Sequence, residues 1–309
     1  MPRAVRFEQY GGVEVLELAE VDPPDFGDGQ LLIRVKAAGI NPFEAKLRRG
    51  LMQADIPLSF PAAQGTDLAG VVEQIGPDVT DFALGDEILG TTSKRGSQAE
   101  LAVVSQARVL PRPEALPWPV AGGLWTVGTT AYGAVSAVAP GPGDVVVVAG
   151  AAGGVGGLAA QLARQREATA IGVASERSHE WLRSRGVLPV AQGDGLAERL
   201  QSTAAGAGGK LTALIDTVGQ GYVALAIALG IAPERIDTIV DFEAGPRYGV
   251  QTEGGGSVST VEVVEELVQL IVDGEVELPI ARTFPLDQVR DAYTLLETGH
   301  PPGKIVLIP

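Results

Sequence analysis

Residues 1–115 alternate short apolar segments with turns that contain glycine or proline. Most of these segments are rich in Val, Ile and Leu, and Pro23-Pro24 and Gly76-Pro77 lie in two of the breaks between them. Short runs of this composition, bounded by Gly and Pro, are typical of β-strands. The pattern predicts a compact antiparallel barrel or sandwich with strands at 13–18, 30–37, 68–75 and 100–104.

The pattern changes after the proline-rich stretch 111–119. Val145–Ala149 is entirely apolar, as a strand buried on both faces should be, and residues 155–165 follow with helical spacing. Further strands are predicted at 169–173, 187–191, 211–216 and 236–240, with helices at 176–185, 195–204 and 222–229, the last of them buried. Such alternation predicts a doubly wound parallel sheet.

The last part of the chain returns to a mixed pattern. Residues 261–272 have an amphipathic helical period, and a strand at 280–284, a helix at 286–296 and an apolar strand at 304–308 follow. A length of 309 residues and two different textures favour two domains.

The charge balance limits the class of partner. The formal net charge is −15 and the basic residues are scattered, so we expect binding neither to nucleic acid nor to a membrane surface. The first residues lack the apolar core of a signal peptide, and no apolar run approaches the roughly 18 residues of a membrane span. We therefore expect a cytoplasmic protein.

Cysteine is absent, which excludes disulfides, thiolate nucleophiles and thiolate metal ligands. The two histidines, His179 and His300, are far apart in the sequence, so a histidine-based zinc site is also not expected. No metal ligand is predicted.

The strongest local motif joins the apolar strand 145–149 to the helix that follows it, through a run of glycine and alanine. Small residues allow the backbone to turn tightly and to approach a pyrophosphate, which then meets the amides of the helix N-terminus. The spacing is A-x-x-G-x-x-G and differs from the usual dinucleotide motif, so a tight turn without a ligand is the alternative. The expected cofactor-binding residues of this loop are Ala151, Gly153, Gly154 and Val155.

The end of the second strand indicates which dinucleotide binds. NAD enzymes usually place an acidic residue there, but here Ala174 or Ser175 occupies that position. Hydroxyl groups and a guanidinium suit the 2′-phosphate of NADPH, which favours NADPH over NADH, although Glu176 argues for NADH. The expected contacts are Ser175, Arg177, Ser178 and His179. In the alternative interpretation Ser175 caps the next helix, and the side chains of Arg177 and His179 are solvated.

Seven segments in order resemble the quinone oxidoreductase-like enzymes of the medium-chain dehydrogenase/reductase superfamily. They are KAAGINPFEAKLRRG (36–50), QGTDLAGVVEQIG (64–76), GDEILG (85–90), GTTAYGAV (128–135), AGAAGGVGG (149–157), LIDTVG (214–219) and GKIVLIP (303–309). The resemblance implies a Rossmann-type doubly wound parallel sheet plus a GroES-like β-barrel domain. The implied ranges are a GroES-like catalytic domain at 1–118, a Rossmann NADPH-binding domain at 119–272 and a return to the catalytic domain at 273–309. A homodimer is also implied.

Zinc-dependent relatives carry Cys and His where this chain has Asn41 and Thr66. The resemblance therefore implies a zinc-independent enzyme, which lacks the Lewis acid that assists alcohol oxidation. It implies that Asn41 lies near the nicotinamide ribose and the substrate, and that Thr130 lies near the nicotinamide amide. Asn41 in an ordinary turn and Thr130 as a helix cap are the alternatives. Lys46 is a candidate proton or hydrogen-bond donor, and an ordinary solvated lysine is the alternative.

The expected function is NADPH-dependent hydride transfer to a small electrophilic acceptor, a quinone or an activated alkene such as an enone. Asn41 and Lys46 are the candidate catalytic residues. An enoyl or enone reductase of secondary metabolism, and a catalytically silent NADPH-binding protein, are the two alternatives.

Overall fold

The computed structural model describes residues 1–92, 94–256, 258–299 and 301–309. The strands are β1 Arg3–Phe7, β2 Glu17–Glu20, β3 Gln30–Gly39, β4 Ala62–Ala63, β5 Asp67–Ile75, β6 Glu87–Thr91, β7 Leu101–Ser105, β8 Val109–Pro111, β9 Val145–Ala149, β10 Thr169–Ala174, β11 Leu188–Ala191, β12 Ala213–Asp216, β13 Ile236–Thr238, β14 Ile280–Pro285 and β15 Lys304–Ile308. The helices are α1 Pro42–Arg48, α2 Trp118–Val138, α3 Gly154–Gln165, α4 His179–Ser184, α5 Leu196–Gly206, α6 Tyr222–Ala228, α7 Ala244–Tyr248, α8 Val261–Val272 and α9 Val289–Thr298.

The chain folds as two units. The first unit comprises Met1–Thr126, Val264–Val272 and Pro279–Pro309, and the second comprises Val127–Val263 and Asp273–Leu278. None of the helices in the described part of the chain has the length and apolar character that crossing a bilayer requires.

The first unit is built on a long, mostly antiparallel sheet in the order β14-β15-β3-β5-β6-β8, with β7 paired to β3. A smaller sheet has the order β2-β1-β4. β15 pairs in parallel with β14 and antiparallel with β3, so that Leu307 lies opposite Ala38. This pairing brings the last strand of the chain beside the segment that leads into α1.

The second unit is a parallel sheet in the order β11-β10-β9-β12-β13. The first strand of the unit, β9, is central, and all five of its residues are buried. The chain moves outward to one side through β10 and β11, and to the other through β12 and β13. This is the predicted doubly wound topology, in which ligands bind beyond the carboxyl ends of the central strands.

Two sequence predictions about local structure are wrong. The strand predicted at 13–18 begins only at Glu17, as β2: a 3₁₀ turn covers Val13–Val15, where the Gly12 N–H donates to the Glu14 carboxylate at 2.8 Å. The helix at 222–229 is present as α6 but is not buried throughout, since only Val223 and Ala226 are buried and small alanines occupy part of its exposed face.

Helix α2 was not predicted from the pattern, because glycine and β-branched residues with low helix propensity fill it. Packing explains these residues. A Cβ at Gly122 would lie 2.5 Å from the Ala37 carbonyl oxygen of β3. The glycine therefore lets the helix lie directly against the strand.

Candidate functional site

The glycine loop follows β9 and leads into α3. Gly150 has a left-handed backbone, with φ of 75°, and Ala151 donates its N–H to the Val173 carbonyl at 3.1 Å. A Cβ at Gly156 would lie 2.3 Å from the Gly150 oxygen, so glycine is required where the helix passes over the loop. The loop is therefore held tightly on the sheet.

The outer side of this loop is accessible. The first helical hydrogen bond of α3 runs from the Gly157 N–H to the Gly153 oxygen, at 2.8 Å, so the amides of Gly154 and Val155 precede it. Gly153, Gly154 and Val155 are half-buried, whereas Ala151 is fully buried with its amide already bonded. A Cβ at Gly153 would meet only the Gly150 oxygen, at 3.4 Å. The loop leaves room for a pyrophosphate, and its residues fit a dinucleotide.

The structure places the four predicted 2′-phosphate residues after β10 in different environments. Ser175 is half-buried and Arg177 is exposed. Ser178 is buried, and its hydroxyl has no hydrogen-bond partner among the described residues. A ring nitrogen of His179, Nε2, lies 3.2 Å from the Ala174 carbonyl oxygen. Ser175, Arg177 and His179 are thus partly or fully exposed, and Ser178 is the buried member of this set.

Thr130 lies in α2 of the second unit. It is half-buried, and its hydroxyl donates to the Gly254 carbonyl oxygen at 3.4 Å. The backbone of Gly255 also lies close, because a Cβ added at Gly255 would be 2.7 Å from the Thr129 carbonyl oxygen. The loop at 254–256 therefore packs directly on this turn of α2.

Asn41, the residue before α1, lies in a buried polar group of the first unit and is 2% exposed. Its side-chain Nδ2 donates to Asp67 at 3.1 Å and to Glu44 at 3.4 Å, and its Oδ1 accepts from the Lys304 ammonium. Lys304 Nζ also donates to the Ile40 carbonyl at 2.8 Å. Every polar atom of the Asn41 side chain therefore has a charged partner.

Glu44 is the centre of this group and is itself 1% exposed. Its carboxylate accepts from the N–H and hydroxyl of Thr66, the N–H and Nδ2 of Asn41, the Gln98 side-chain amide and the Tyr293 hydroxyl. The distances range from 2.8 Å for Tyr293 to 3.4 Å for Nδ2 of Asn41. We call Asn41, Glu44, Asp67, Gln98, Tyr293 and Lys304 the Asn41 cluster.

Burial dominates the protonation equilibria of the cluster. It raises the pKa of both carboxyl groups, Glu44 and Asp67, and the negative charge of Asp67 raises that of Glu44 further. Burial also lowers the pKa of Lys304, while the charges of Asp67 and Glu44 oppose that change. The negative charges of Asp67 and Glu44 favour the charged form of Lys304, and the positive charge of Lys304 favours the ionised form of both carboxyl groups.

Lys46 is half-buried on α1, and no ion pair of its ammonium is found among the described residues. The neighbouring arginines, Arg48 and Arg49, both pair with Glu297. Arg48 is fully buried, with its guanidinium 5.0 Å from the centre of the Tyr293 ring. The arginines therefore fix α1 against α9, and Lys46 is not part of that contact.

In the part of the chain that the structure describes, no three His, Cys, Asp or Glu residues are grouped to hold a metal ion. His300 lies outside the described residues. Thr66, which replaces a zinc-ligating histidine of relatives, instead donates to Glu44. The donor set at Asn41 and Thr66 does not suit zinc, which prefers sulfur and imidazole ligands.

A second buried acidic pair lies at the carboxyl ends of β12 and β13. Asp216 accepts from the N–H groups of Val218 and Gly219 and from the Thr238 hydroxyl, at 2.8–2.9 Å. Asp237 accepts only from the Glu253 N–H, at 2.7 Å, and its Oδ2 has no hydrogen-bond partner among the described residues. Burial, with the charges of Glu253 and Asp216, raises the pKa of Asp237 to about 7.

Asp237→Asn is expected to stabilise the protein more at high pH than at low pH. The ordinary pKa is 3.8, so the unfolded chain releases this proton before the folded protein does, and folded-state stability falls as pH rises towards 7. The stabilisation should grow by about 2–3 kcal/mol between pH 5 and pH 8. Urea unfolding at both pH values measures it. The exposed Asp55 supplies the matched control, Asp55→Asn, and a pH-independent effect of Asp237→Asn would contradict the assignment.

Comparison with known proteins now gives the family. An alcohol dehydrogenase GroES-like domain model matches residues 27–114, and a zinc-binding dehydrogenase model matches residues 197–307. The chain is 30% identical to the 2-methylene-furan-3-one reductase of Solanum lycopersicum, over 99% of this chain and 79% of that protein. The chain belongs to the medium-chain dehydrogenase/reductase superfamily, in its quinone oxidoreductase-like branch. The predicted fold class, a Rossmann-type sheet plus a GroES-like domain, is confirmed.

Two further superfamily members are close over nearly the whole chain. The chloroplastic NADPH-dependent alkenal/one oxidoreductase of Arabidopsis thaliana is 30% identical over 98% of this chain and 78% of its own length. The quinone oxidoreductase of Coxiella burnetii has a structure with a TM-score of 0.87, 29% identity, and coverage of 100% of this chain and 99% of its own. The zinc-binding dehydrogenase model thus matches a chain that contains no cysteine.

Sequence reasoning did not find most of the Asn41 cluster. Lys304 and Tyr293 were not singled out. One signal was available: Lys304 begins an otherwise apolar terminal strand, where an unpaired lysine would be costly.

Proposed function

We propose that this protein is a zinc-independent reductase that uses NADPH to transfer hydride to a quinone or to an activated alkene such as an enone. The observation that carries the proposal is the loop between β9 and α3, whose amides at Gly154 and Val155 are accessible beyond the central strand of the parallel sheet. The names of the relatives, an NADPH-dependent alkenal/one oxidoreductase among them, support the cofactor and the acceptor class.

The residues of the second unit would hold the coenzyme. The amides of Gly154 and Val155 bind the pyrophosphate at the N-terminus of α3, where the helix dipole favours negative charge. Ser175 and Arg177 bind the 2′-phosphate, for which a guanidinium provides two donors in a rigid fork. Thr130 binds near the nicotinamide amide. When bound, NADPH supplies the hydride that adds to the electrophilic carbon of the acceptor.

The residues of the first unit act on the acceptor side. Asn41 is held rigidly by its charged partners. The family resemblance supports a position for it near the nicotinamide ribose. Both Nδ2 hydrogens of Asn41 are directed at carboxylates. Asn41 therefore helps to orient the substrate and does not donate a hydrogen bond to it. Lys46, for which the described part of the chain supplies no ion-pair partner, donates a hydrogen bond or a proton to the oxygen on which negative charge develops.

The donor chemistry of the site supports zinc independence. The side chains of Asn41 and Thr66 bind Lys304, Asp67 and Glu44 rather than offering sulfur or imidazole ligands. Quinones and enones are electrophilic without a Lewis acid, so hydride transfer to them needs no metal. We also propose domain ranges of 1–118 with 273–309, and 119–272, and a cytoplasmic homodimer, as the family resemblance implies.

Reductase activity is tested with purified protein, NADPH or NADH, and a panel of benzoquinones, 2-alkenals and vinyl ketones. We expect oxidation of NADPH with at least one acceptor, a dissociation constant at least tenfold lower for NADPH than for NADH, and no loss of activity in EDTA. A chelator-sensitive activity that zinc restores would contradict the proposal. Tight NADPH binding without turnover on any acceptor would instead support the silent binding protein.

A further inference from the structure

Lys304 is a buried lysine whose side chain fills a space between neighbouring glycines. It begins β15 and is 3% exposed. A Cβ at Gly123 would lie 2.9 Å from its Cγ, and a Cβ at Gly39 would lie 3.1 Å from its Cε. Glycine at these two positions leaves the space that the aliphatic part of Lys304 fills, so that the ammonium reaches Asn41.

Lys304 determines how the Asn41 amide is oriented. Its ammonium donates to Oδ1 of Asn41, while Nδ2 donates to Asp67 and Glu44. A rotation of the amide by 180° would place the NH₂ group against the ammonium and the carbonyl against two carboxylates. Only one orientation of the amide is therefore compatible with the surrounding charges. Removal of the ammonium would leave only the two carboxylates to favour that orientation.

The same ammonium fixes the backbone at this point. Lys304 Nζ donates to the Ile40 carbonyl at 2.8 Å, immediately before Asn41 and the start of α1. One cation thus holds both the backbone and the side chain at the first turn of α1, the helix that carries Lys46. Loss of this cation would also leave Asp67 and Glu44 without their shared positive partner.

We propose that Lys304 is a positioning residue for the reduction, which acts by fixing the orientation of the Asn41 amide. This inference rests on the proposed function. It assigns to the last strand a role that neither the motifs nor the comparisons give it, and it predicts an effect on turnover without a matching effect on coenzyme binding, because the glycine loop and the residues after β10 hold the coenzyme.

Asn41 is the sole asparagine of the chain, so it can be observed directly. Protein made by cell-free synthesis with ¹⁵N-asparagine has one side-chain NH₂ group in its NMR spectrum. We expect the two hydrogens to exchange slowly in the wild type, because both are donated to buried carboxylates. In Lys304→Met the signals should move and exchange at least tenfold faster, kcat should fall 10- to 100-fold, and the NADPH dissociation constant should change less than threefold.

Control variants separate positioning from a general loss of structure. Lys36→Met removes an exposed lysine from β3 and should leave the amide signals and kcat unchanged. In a double-mutant cycle, Lys304→Met should cost little further activity once Asn41 is replaced by alanine. If Lys304→Met does not fold, Lys304→Gln, which keeps a donor without the charge, is expected to give the same shift of the amide signals.

Two results would overturn the inference. The first is an unchanged, slowly exchanging Asn41 amide in Lys304→Met together with kcat within threefold of the wild type. The second is an equal loss of activity from Lys304→Met with and without Asn41. If the wild type reduces no acceptor but its amide signals respond as expected, the proposed reduction fails and the control of Asn41 by Lys304 stands.

Discussion

Gly153→Glu is expected to weaken NADPH binding at least 100-fold, about 2.7 kcal/mol, without unfolding the protein. The backbone of Gly153 is extended, with φ of −79° and ψ of 174°, and a Cβ there would make a single contact at 3.4 Å. A side chain is therefore sterically acceptable. A carboxylate at the N-terminus of α3 occupies the proposed pyrophosphate position and repels it. Fluorescence titration with NADPH, alongside thermal unfolding, measures both effects.

Two variants of the same loop are controls for this prediction. Gly153→Ala adds a small neutral side chain and should bind NADPH within about threefold of the wild type, which corresponds to less than 1 kcal/mol. Gly156→Val should instead destabilise the second unit, because its Cβ would lie 2.3 Å from the Gly150 oxygen. Equal affinities for Gly153→Glu and Gly153→Ala would show that the pyrophosphate does not lie at this loop.

The glycine loop could be predicted from the sequence because its parts are contiguous. The buried strand β9, the turn and the helix α3 follow one another within 145–165, and each has a local signature of composition and period. The topology around it could be predicted for the same reason, since each strand and crossover helix occupies one stretch of chain. The order of strands then follows from the usual handedness and connectivity.

The Asn41 cluster could not be predicted in the same way. Glu44 and Asp67 lie near the start of the chain, whereas Tyr293 and Lys304 lie near its end, and no local period relates the two groups. Their contacts depend on β15 pairing with β3 and on α9 packing beside α1. Charged residues are also expected at the surface from composition alone, so their burial becomes visible only when the sheet is assembled.

Helix α2 could not be predicted for a different reason: tertiary packing outweighs the low helix propensity of its residues. Its glycines would weaken an isolated helix by about 1 kcal/mol each. In the folded protein, Gly122 and Gly123 allow contact with the Ala37 backbone and with Lys304. One residue that makes the helix difficult to predict, Gly123, thus also leaves the space that the Lys304 side chain fills.

Glu44→Ala is expected to cost roughly 3–5 kcal/mol of folding free energy, the largest stability effect that the structure predicts for a single side chain of the cluster. Six hydrogen bonds end on this buried carboxylate, and its removal leaves the N–H and hydroxyl of Thr66 without this acceptor. Gln98 and Tyr293 lose it too, although they remain bonded to each other. It also removes one of the two negative charges that compensate Lys304. Urea unfolding of the full chain, followed by tryptophan fluorescence, measures the loss.

Burial distinguishes the Glu44 carboxylate from exposed carboxylates of the same unit. Glu73 also forms an ion pair, with Arg34 at 2.7 Å, but the Arg34 side chain is 54% exposed. Glu73→Ala should therefore change the stability by at most about 0.5 kcal/mol, as is usual for surface pairs. A loss below about 1 kcal/mol in Glu44→Ala would mean that water replaces the carboxylate as acceptor. In that case the Asn41 cluster would be open to solvent, and neither Glu44 nor Lys304 could fix the Asn41 amide as the structure requires.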